Sequence, residues 1–258
     1  MISSANQTAN VPAPAEASTN IGAFFDIDGT LLPPPSLERR FASFLLAHDK
    51  IHVTNIIRWL AHRAMTLLRG TKSALDANKY YLAQVQESAV ADWENSLAAV
   101  SPDVDPLPLF AEGIERISWH IAQGHHVFLV SGTLAPLARV VANRFRDVVG
   151  VCATELVVRD GRWTGRIAGE HVSGAAKTRA ILKLARKYDL SLPRSYAYGN
   201  DVTDGPMLSA VGHPVVVNPS QRLLRIAHDR EWKVHHWCGV QIAGGITSLR
   251  LIPAKGAR

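Results

Sequence analysis

The first stretch of the chain able to bury itself is the apolar run Ile21-Gly22-Ala23-Phe24-Phe25, which stops at Asp26-Ile27-Asp28-Gly29-Thr30. A short continuous apolar run closed by turn residues predicts a buried strand. Pro33, Pro34 and Pro35 follow and end any regular element. From residue 37 to 100 the apolar positions recur at helical spacing. Phe41, Phe44 and Leu45 mark one stretch; Ile56, Ile57, Leu60, Ala64, Leu67 and Leu68 a second; Tyr81, Leu82, Val85, Val90, Trp93 and Leu97 a third. A second proline group, Pro102, Pro106 and Pro108, closes the block. A helical block between two proline-rich hinges predicts an inserted domain over residues 33–108, able to move as a lid.

Beyond residue 108 the pattern alternates. Helices are predicted over 114–122, 134–145, 178–188, 202–210 and 221–227, and strands over 127–130, 148–152, 196–198 and 215–217. Asp160-Gly161, between partly alternating runs in residues 155–167, is a hairpin signal. Strands alternating with helices imply a doubly wound, mainly parallel α/β sheet covered on both faces. Residues 21–32 and 109–240 then form the core. Residues 1–20, rich in Ala, Asn, Ser, Thr and Pro, read as a disordered leader, and 241–258 as a loose tail.

Composition narrows the class only modestly. Apolar residues make up 47% of the 258, as in an ordinary globular protein. The net charge of +6 favours anionic partners, but no Lys/Arg block is present, so nucleic acid is not expected as a partner. Cys152 and Cys238 match no metal or redox spacing and suit a reduced, cytoplasmic setting. His125-His126 and His235-His236 are adjacent pairs, unlike ligands spaced on one helix face.

Candidate chemistry sits at three predicted strand ends. The first carries Asp26 and Asp28, the second Ser131-Gly132-Thr133, and the third Gly199-Asn200-Asp201 followed by Asp204. In an open parallel sheet these ends share one edge, where ligands bind. Carboxylates gathered there need a cation, and magnesium suits oxygen ligands that leave room for a phosphate. Ser131, at a turn into a helix, can hold an anion with the N–H groups of Gly132 and Thr133. Lys177, just before another helix, can neutralise a phosphate or a carboxylate. Such parts suit phosphoryl transfer.

In this order the residues resemble the haloacid dehalogenase-like phosphatases. Residues Phe24 to Leu31 are similar to the family's first motif, Ser131-Gly132-Thr133 to its second, Lys177 in Gly174-Ala175-Ala176-Lys177 to its third, and Tyr198 to Leu208 to its acidic fourth. The resemblance spans the chain from about Ile21 to Trp237. The helical insertion and the hairpin resemble the branch that includes phosphoserine phosphatases. The resemblance implies that Asp26 attacks phosphorus and forms an aspartyl-phosphate. Asp28 then serves as general acid and base, and magnesium is bound through Asp26, the Asp28 carbonyl and the fourth motif. A small phosphorylated metabolite is the implied substrate. Transfer to an acceptor other than water, and a peripheral phospholipid-directed phosphatase, are the alternatives. Retention of both aspartates argues against a binding module without activity.

Two positions depart from the family pattern. Asn200 stands where many relatives carry a metal-binding aspartate, so either its amide or Asp201 is the ligand; Asp201 is preferred, with Asp204 as ligand or orienter. Many phosphoserine phosphatases carry a glutamate soon after the first motif, where this chain has three prolines and only later Glu38. That departure weakens phosphoserine as substrate. Finally, residues 55–69 are basic and amphipathic. They can pack an apolar side within the insertion or lie on an anionic membrane, and packing is the preferred reading.

Overall fold

The computed structural model describes residues 20–68, 79–99, 105, 107–242 and 245–248. Its strands are β1 (Gly22–Phe25), β2 (His126–Leu134), β3 (Val148–Thr154), β4 (Leu156–Arg159), β5 (Arg162–Ile167), β6 (Tyr196–Gly199), β7 (His213–Val217), β8 (Lys233–His235), β9 (Gly239–Ile242) and β10 (Gly245–Ser248). Its helices are α1 (Leu37–Ala47), α2 (Val53–Leu68), α3 (Ala89–Ala98), α4 (Ala111–Ala122), α5 (Ala135–Ala142), α6 (Ala175–Tyr188), α7 (Gly205–Leu208) and α8 (Gln221–Asp229).

Six strands form one sheet in the order β3-β2-β1-β6-β7-β8, and every neighbouring pair is parallel. The chain winds outward from β1 through β2 and β3. It then crosses back to β6 and winds the other way, so the order reverses beside β1. β1 is buried along its length, as a central strand covered on both faces requires. Its two phenylalanines point to opposite faces. Phe25 stacks on Tyr198 at 4.2 Å and joins Ile117 of α4 and Leu137 of α5. Phe24 stacks on Phe128 at 5.6 Å and joins Ile181 of α6, Leu208 of α7 and Leu223 of α8. This is the doubly wound α/β fold that the alternating pattern predicts.

The segment between β1 and β2 contains α1, α2 and α3, as the helical spacing implies. The third predicted stretch is only half helix. Residues 80–82 form a single 3₁₀ turn, and α3 starts at Ala89. Between them the chain runs beside the β4–β5 hairpin. Lys79 N–H donates to Gly165 O at 2.8 Å, Gln84 N–H to Trp163 O at 2.8 Å, and Trp163 N–H to Val85 O at 2.9 Å. Leu82, in the 3₁₀ turn, and Val85, in the extended run after it, are both buried where the chain lies on the hairpin. Their helical spacing did not distinguish that from a helix face. Phe41 of α1 meets Trp93 of α3 and Trp163 of β5 edge-on, giving insertion and hairpin one aromatic core.

Three other expectations are corrected. β2 continues through Leu134, so Ser131-Gly132-Thr133 end a strand and do not open a helix. The helix predicted over 202–210 is a 3₁₀ turn followed by the four-residue α7. Residues 241, 242 and 245–248, read as tail, belong to the antiparallel β9–β10 pair. Residues 1–19, the prolines Pro102 and Pro106, Arg69 and residues 249–258 lie outside the described residues. No helix among those described is long and apolar enough to cross a membrane.

Candidate active site

The three strand ends converge. Asp26, Asp28, Ser131, Gly132, Thr133, Lys177, Asn200, Asp201 and Asp204 all line one cavity of about 330 Å³ at the carboxyl edge of the sheet. Asp26 N–H donates to the carbonyl of Tyr198 at 3.0 Å, which continues the β1–β6 ladder one residue past the strand. The chain then folds over tightly. Ile27 O accepts the N–H groups of Thr30, Leu31 and Leu32, and Gly29 adopts φ +84°. A side chain at residue 29 would also start 2.1 Å from the Asn200 amide nitrogen. Glycine is therefore required twice there, for its conformation and for the close approach of Asn200. Thr30 Oγ1 donates weakly to Asn200 Oδ1, at 3.4 Å.

Lys177, buried at the start of α6, bridges two carboxylates. Its Nζ donates to Asp26 Oδ1 at 2.6 Å and to Asp204 Oδ1 at 2.5 Å. The other Asp204 oxygen accepts the N–H groups of Asn200 and Asp201, at 2.9 and 3.0 Å. Asp204 thus ties α6 to the loop after β6. Asp201 caps its own turn, with Oδ1 accepting Thr203 N–H at 3.1 Å. Asp28 Oδ1 accepts Leu37 N–H at 2.6 Å, so α1 begins on an acidic group, the favoured arrangement at a helix N-terminus.

Burial dominates the electrostatics. It pushes the Asp26 carboxyl up to about 7 even against Lys177, and Asp204 and Asp28 add to the rise. Burial also raises Asp28, opposed by its bond from Leu37. Lys177 is raised because Asp204 and Asp26 together outweigh the cost of its burial. It stays charged at neutral pH.

Four lining residues carry no motif and escape sequence reasoning: Ser36, Lys79, His171 and Ser173. Glu38 and Lys79 reach the cavity from the insertion. Lys79 Nζ donates to both Glu38 oxygens, at 2.9 and 2.8 Å, and Tyr81 OH donates to one of them at 3.0 Å. His171 lies over Gly132, where a β-carbon would come within 3.2 Å of its ring. Thr154 Oγ1 donates to Gly132 O at 2.9 Å and accepts Val172 N–H at 3.2 Å, holding the 171–173 turn against β2. Thr133 Oγ1 is buried in the cavity wall without a hydrogen-bond partner. A buried hydroxyl left unpaired is costly, and a ligand oxygen would satisfy it.

Among the described residues no three His, Cys, Asp or Glu side chains form a ready metal cluster. The carboxylates are engaged by Lys177 and by backbone N–H groups instead. The donor set nonetheless fits a hard dication. Asp26, Asp28, Asp201, Asp204 and Glu38 share the cavity with only Lys177 and Lys79 among lysines, and burial holds Asp26 well above the carboxylate range.

A doubly wound α/β sheet with carboxylates, a buried lysine and hydroxyls at its switch point defines an enzyme of the Rossmann-like class. The profile of the haloacid dehalogenase-like hydrolases matches residues 23–209, and the chain belongs to that family. It is 28% identical over 268 residues to the phosphoserine phosphatase SerB1 of Mycobacterium tuberculosis, covering 98% of this chain and 86% of that protein. A Bordetella pertussis protein of unknown function has a similar structure, with TM-score 0.67 and 28% identity, over 84% of this chain and 98% of that one. A phosphoserine phosphatase solved as an analogue of its phospho-aspartyl intermediate has TM-score 0.57 at 18% identity, over 84% and 93% of the two chains. That last likeness shows the fold alone. The chain is a hydrolase by family, and relatives of similar extent are named phosphatases.

Proposed function

We propose that the chain hydrolyses a phosphomonoester through an aspartyl-phosphate on Asp26. The observation that carries this reading is the convergence of Asp26, Asp28 and Lys177 with the unpaired Thr133 hydroxyl in one cavity. Lys177 holds Asp26 Oδ1, which leaves Oδ2 to attack phosphorus. The P–O ester bond breaks, and the leaving oxygen takes the proton of Asp28, whose raised pKa suits an acid. Asp28 then removes a proton from water. The water oxygen attacks phosphorus, releasing inorganic phosphate and the Asp26 carboxylate. Ser131, the Gly132 and Thr133 backbone and Lys177 bind the phosphoryl oxygens.

Magnesium is the cofactor in this reading, held by Asp26, the Asp28 carbonyl and the fourth motif. When bound it offsets the negative charge that an anionic phosphate meets here. Of the two fourth-motif candidates, Asn200 lies against the Gly29 turn, whereas Asp201 Oδ1 is occupied by Thr203 N–H. Asn200 Oδ1 in turn accepts weakly from Thr30 Oγ1, so either residue can supply the ligand oxygen, and Asp204 positions the loop. Residues 33–108 act as the cap that selects a small phosphorylated substrate, a role supported by Glu38 and Lys79 in the cavity wall. The unpaired Cys152 and Cys238 support a reducing, cytoplasmic setting.

The test is phosphate release from a generic aryl phosphate with and without magnesium. We expect Asp26→Asn to lose about 10³-fold or more of kcat, and chelation to abolish the wild-type rate reversibly. Equal rates for wild type and Asp26→Asn would remove the assignment. Phosphorylated alcohol in place of inorganic phosphate, when an acceptor is added, would turn it into a transferase.

A further inference from the structure

We propose that α2 is a docking helix for an anionic membrane surface. Its sequence suggests an apolar side packed inward, but the structure places that side in solvent. Val53, Ile57, Leu60 and Leu68 are 69%, 58%, 53% and 84% exposed, with Ala64 exposed between them. The spacing i, i+4, i+7, i+11, i+15 puts all five on one helix face. Among the described side chains of α2, those that face inward are few and one is polar. Asn55 is buried and donates to Ala83 O, Ile56 is half-buried, and Trp59 rests edge-on against Tyr81. A helix that buries Asn55 while Leu60 and Leu68 stand in solvent leaves much of its apolar surface unused by the protein's own core.

The exposure is concentrated. Of the eleven large apolar residues exposed among those described, five are on α2, counting Met65, and the rest are scattered over the molecule. Single exposed apolar residues are ordinary, whereas a continuous stripe marks an interaction surface.

Charge selects the occupant. From Val53 to Arg69 the sequence carries Arg58, Arg63 and Arg69 and not one Asp or Glu, while Lys50, just before the helix, is paired with Asp92 at 2.7 Å. Arg58 is exposed, about a quarter of a turn from the edge of the stripe. An apolar stripe flanked by cations without acids is the pattern of helices that lie in the plane of an anionic bilayer, with aliphatic side chains below the headgroups and basic ones among them. A second copy of the chain would place like charges opposite one another, and an anionic lipid surface neutralises them. The docked helix is joined to the rim of the candidate site through Trp59, Tyr81 and Glu38. The inference does not depend on the catalytic reading.

The experiment is sedimentation of the full chain with vesicles of phosphatidylcholine alone or mixed with phosphatidylglycerol. We expect binding to the anionic vesicles only, weakening as salt is raised. Ile57→Ser/Leu60→Ser/Leu68→Ser should reduce partitioning about tenfold or more, with a circular dichroism melt matching wild type because the positions are exposed. Arg58→Gln alone should give a smaller loss, and keeps the test valid should the triple variant fold poorly. No binding to anionic vesicles would overturn the proposal, as would undiminished binding by both variants. A concentration-dependent dimer that the triple substitution abolishes, without vesicle binding, would overturn it in favour of self-association.

Discussion

Around Lys177 the molecule answers each buried charge with another. Two carboxylates share its ammonium, and the second oxygen of Asp204 collects two backbone N–H groups. Along α2, the only buried polar side chain among those described is Asn55, and Val53, Ile57, Leu60 and Leu68 stand largely in solvent. The first region is rigid because desolvated charges tolerate little displacement. The second has no internal reason to hold its outer face in any one place. Chemistry common to a family can be built on the first kind of region, and traits that differ between relatives on the second.

The largest effect we expect comes from removing the ammonium at the centre of the rigid region. Lys177→Met leaves Asp26 and Asp204 buried without their shared cation, and should lower stability by about 3–5 kcal/mol. Urea unfolding in the absence of divalent ions measures it. A loss under 1 kcal/mol would mean that this region is no more tightly bound than the other.

The next effect is pH-dependent. Burial raises Asp26 from 3.8 to about 7, so the native state holds a proton there that the unfolded chain has released. Bound protons then number more in the folded than in the unfolded state, and stability falls as pH climbs from 4 towards 7. The slope is at most about 1.4 kcal/mol per pH unit for one proton. Asp26→Asn removes this contribution, so without metal its stability relative to wild type should rise with pH over that window. Magnesium should flatten the wild-type slope. A constant difference between the two proteins across the window would show that burial does not control Asp26.

The smallest effect tests where the boundary between the regions lies. Gly165 has φ +78°, and a β-carbon there would sit 2.7 Å from the Tyr80 Cα. Gly165→Ala should cost about 1–3 kcal/mol. It should also speed hydrogen exchange at Lys79 and Gln84 while leaving the Asp26–Lys177 edge protected. Uniformly faster exchange over the sheet would mean that hairpin and core open together.

The sequence disclosed these regions unequally. The strand-end groups were legible because each is local: an apolar run followed at once by Asp26, Ser131 or Asn200. A parallel sheet then leaves little freedom in where such ends meet. The path of residues 79–88 was hidden, since Tyr81, Leu82 and Val85 suit one continuous helix as well as the 3₁₀ turn and extended run that are bonded to Trp163 and Gly165. The contribution of Lys79 and His171 to the cavity was hidden for a related reason: it depends on contacts between segments with no local signature. β8 and the β9–β10 pair were missed because short, sparsely apolar strands exist through their neighbours. For α2 the amphipathic pattern was plain, but a pattern says that two faces differ, not which one looks outward.

The backbone bonds between residues 79–87 and the β4–β5 hairpin bear on how such enzymes could be recombined. A chimera that exchanged only the segment between β1 and β2 would leave Trp163 and Gly165 facing a stranger. Moving residues 37–99 together with 156–167 would carry both halves of the seam. The structural unit of the insertion is thus two stretches of chain far apart in the gene and joined in space.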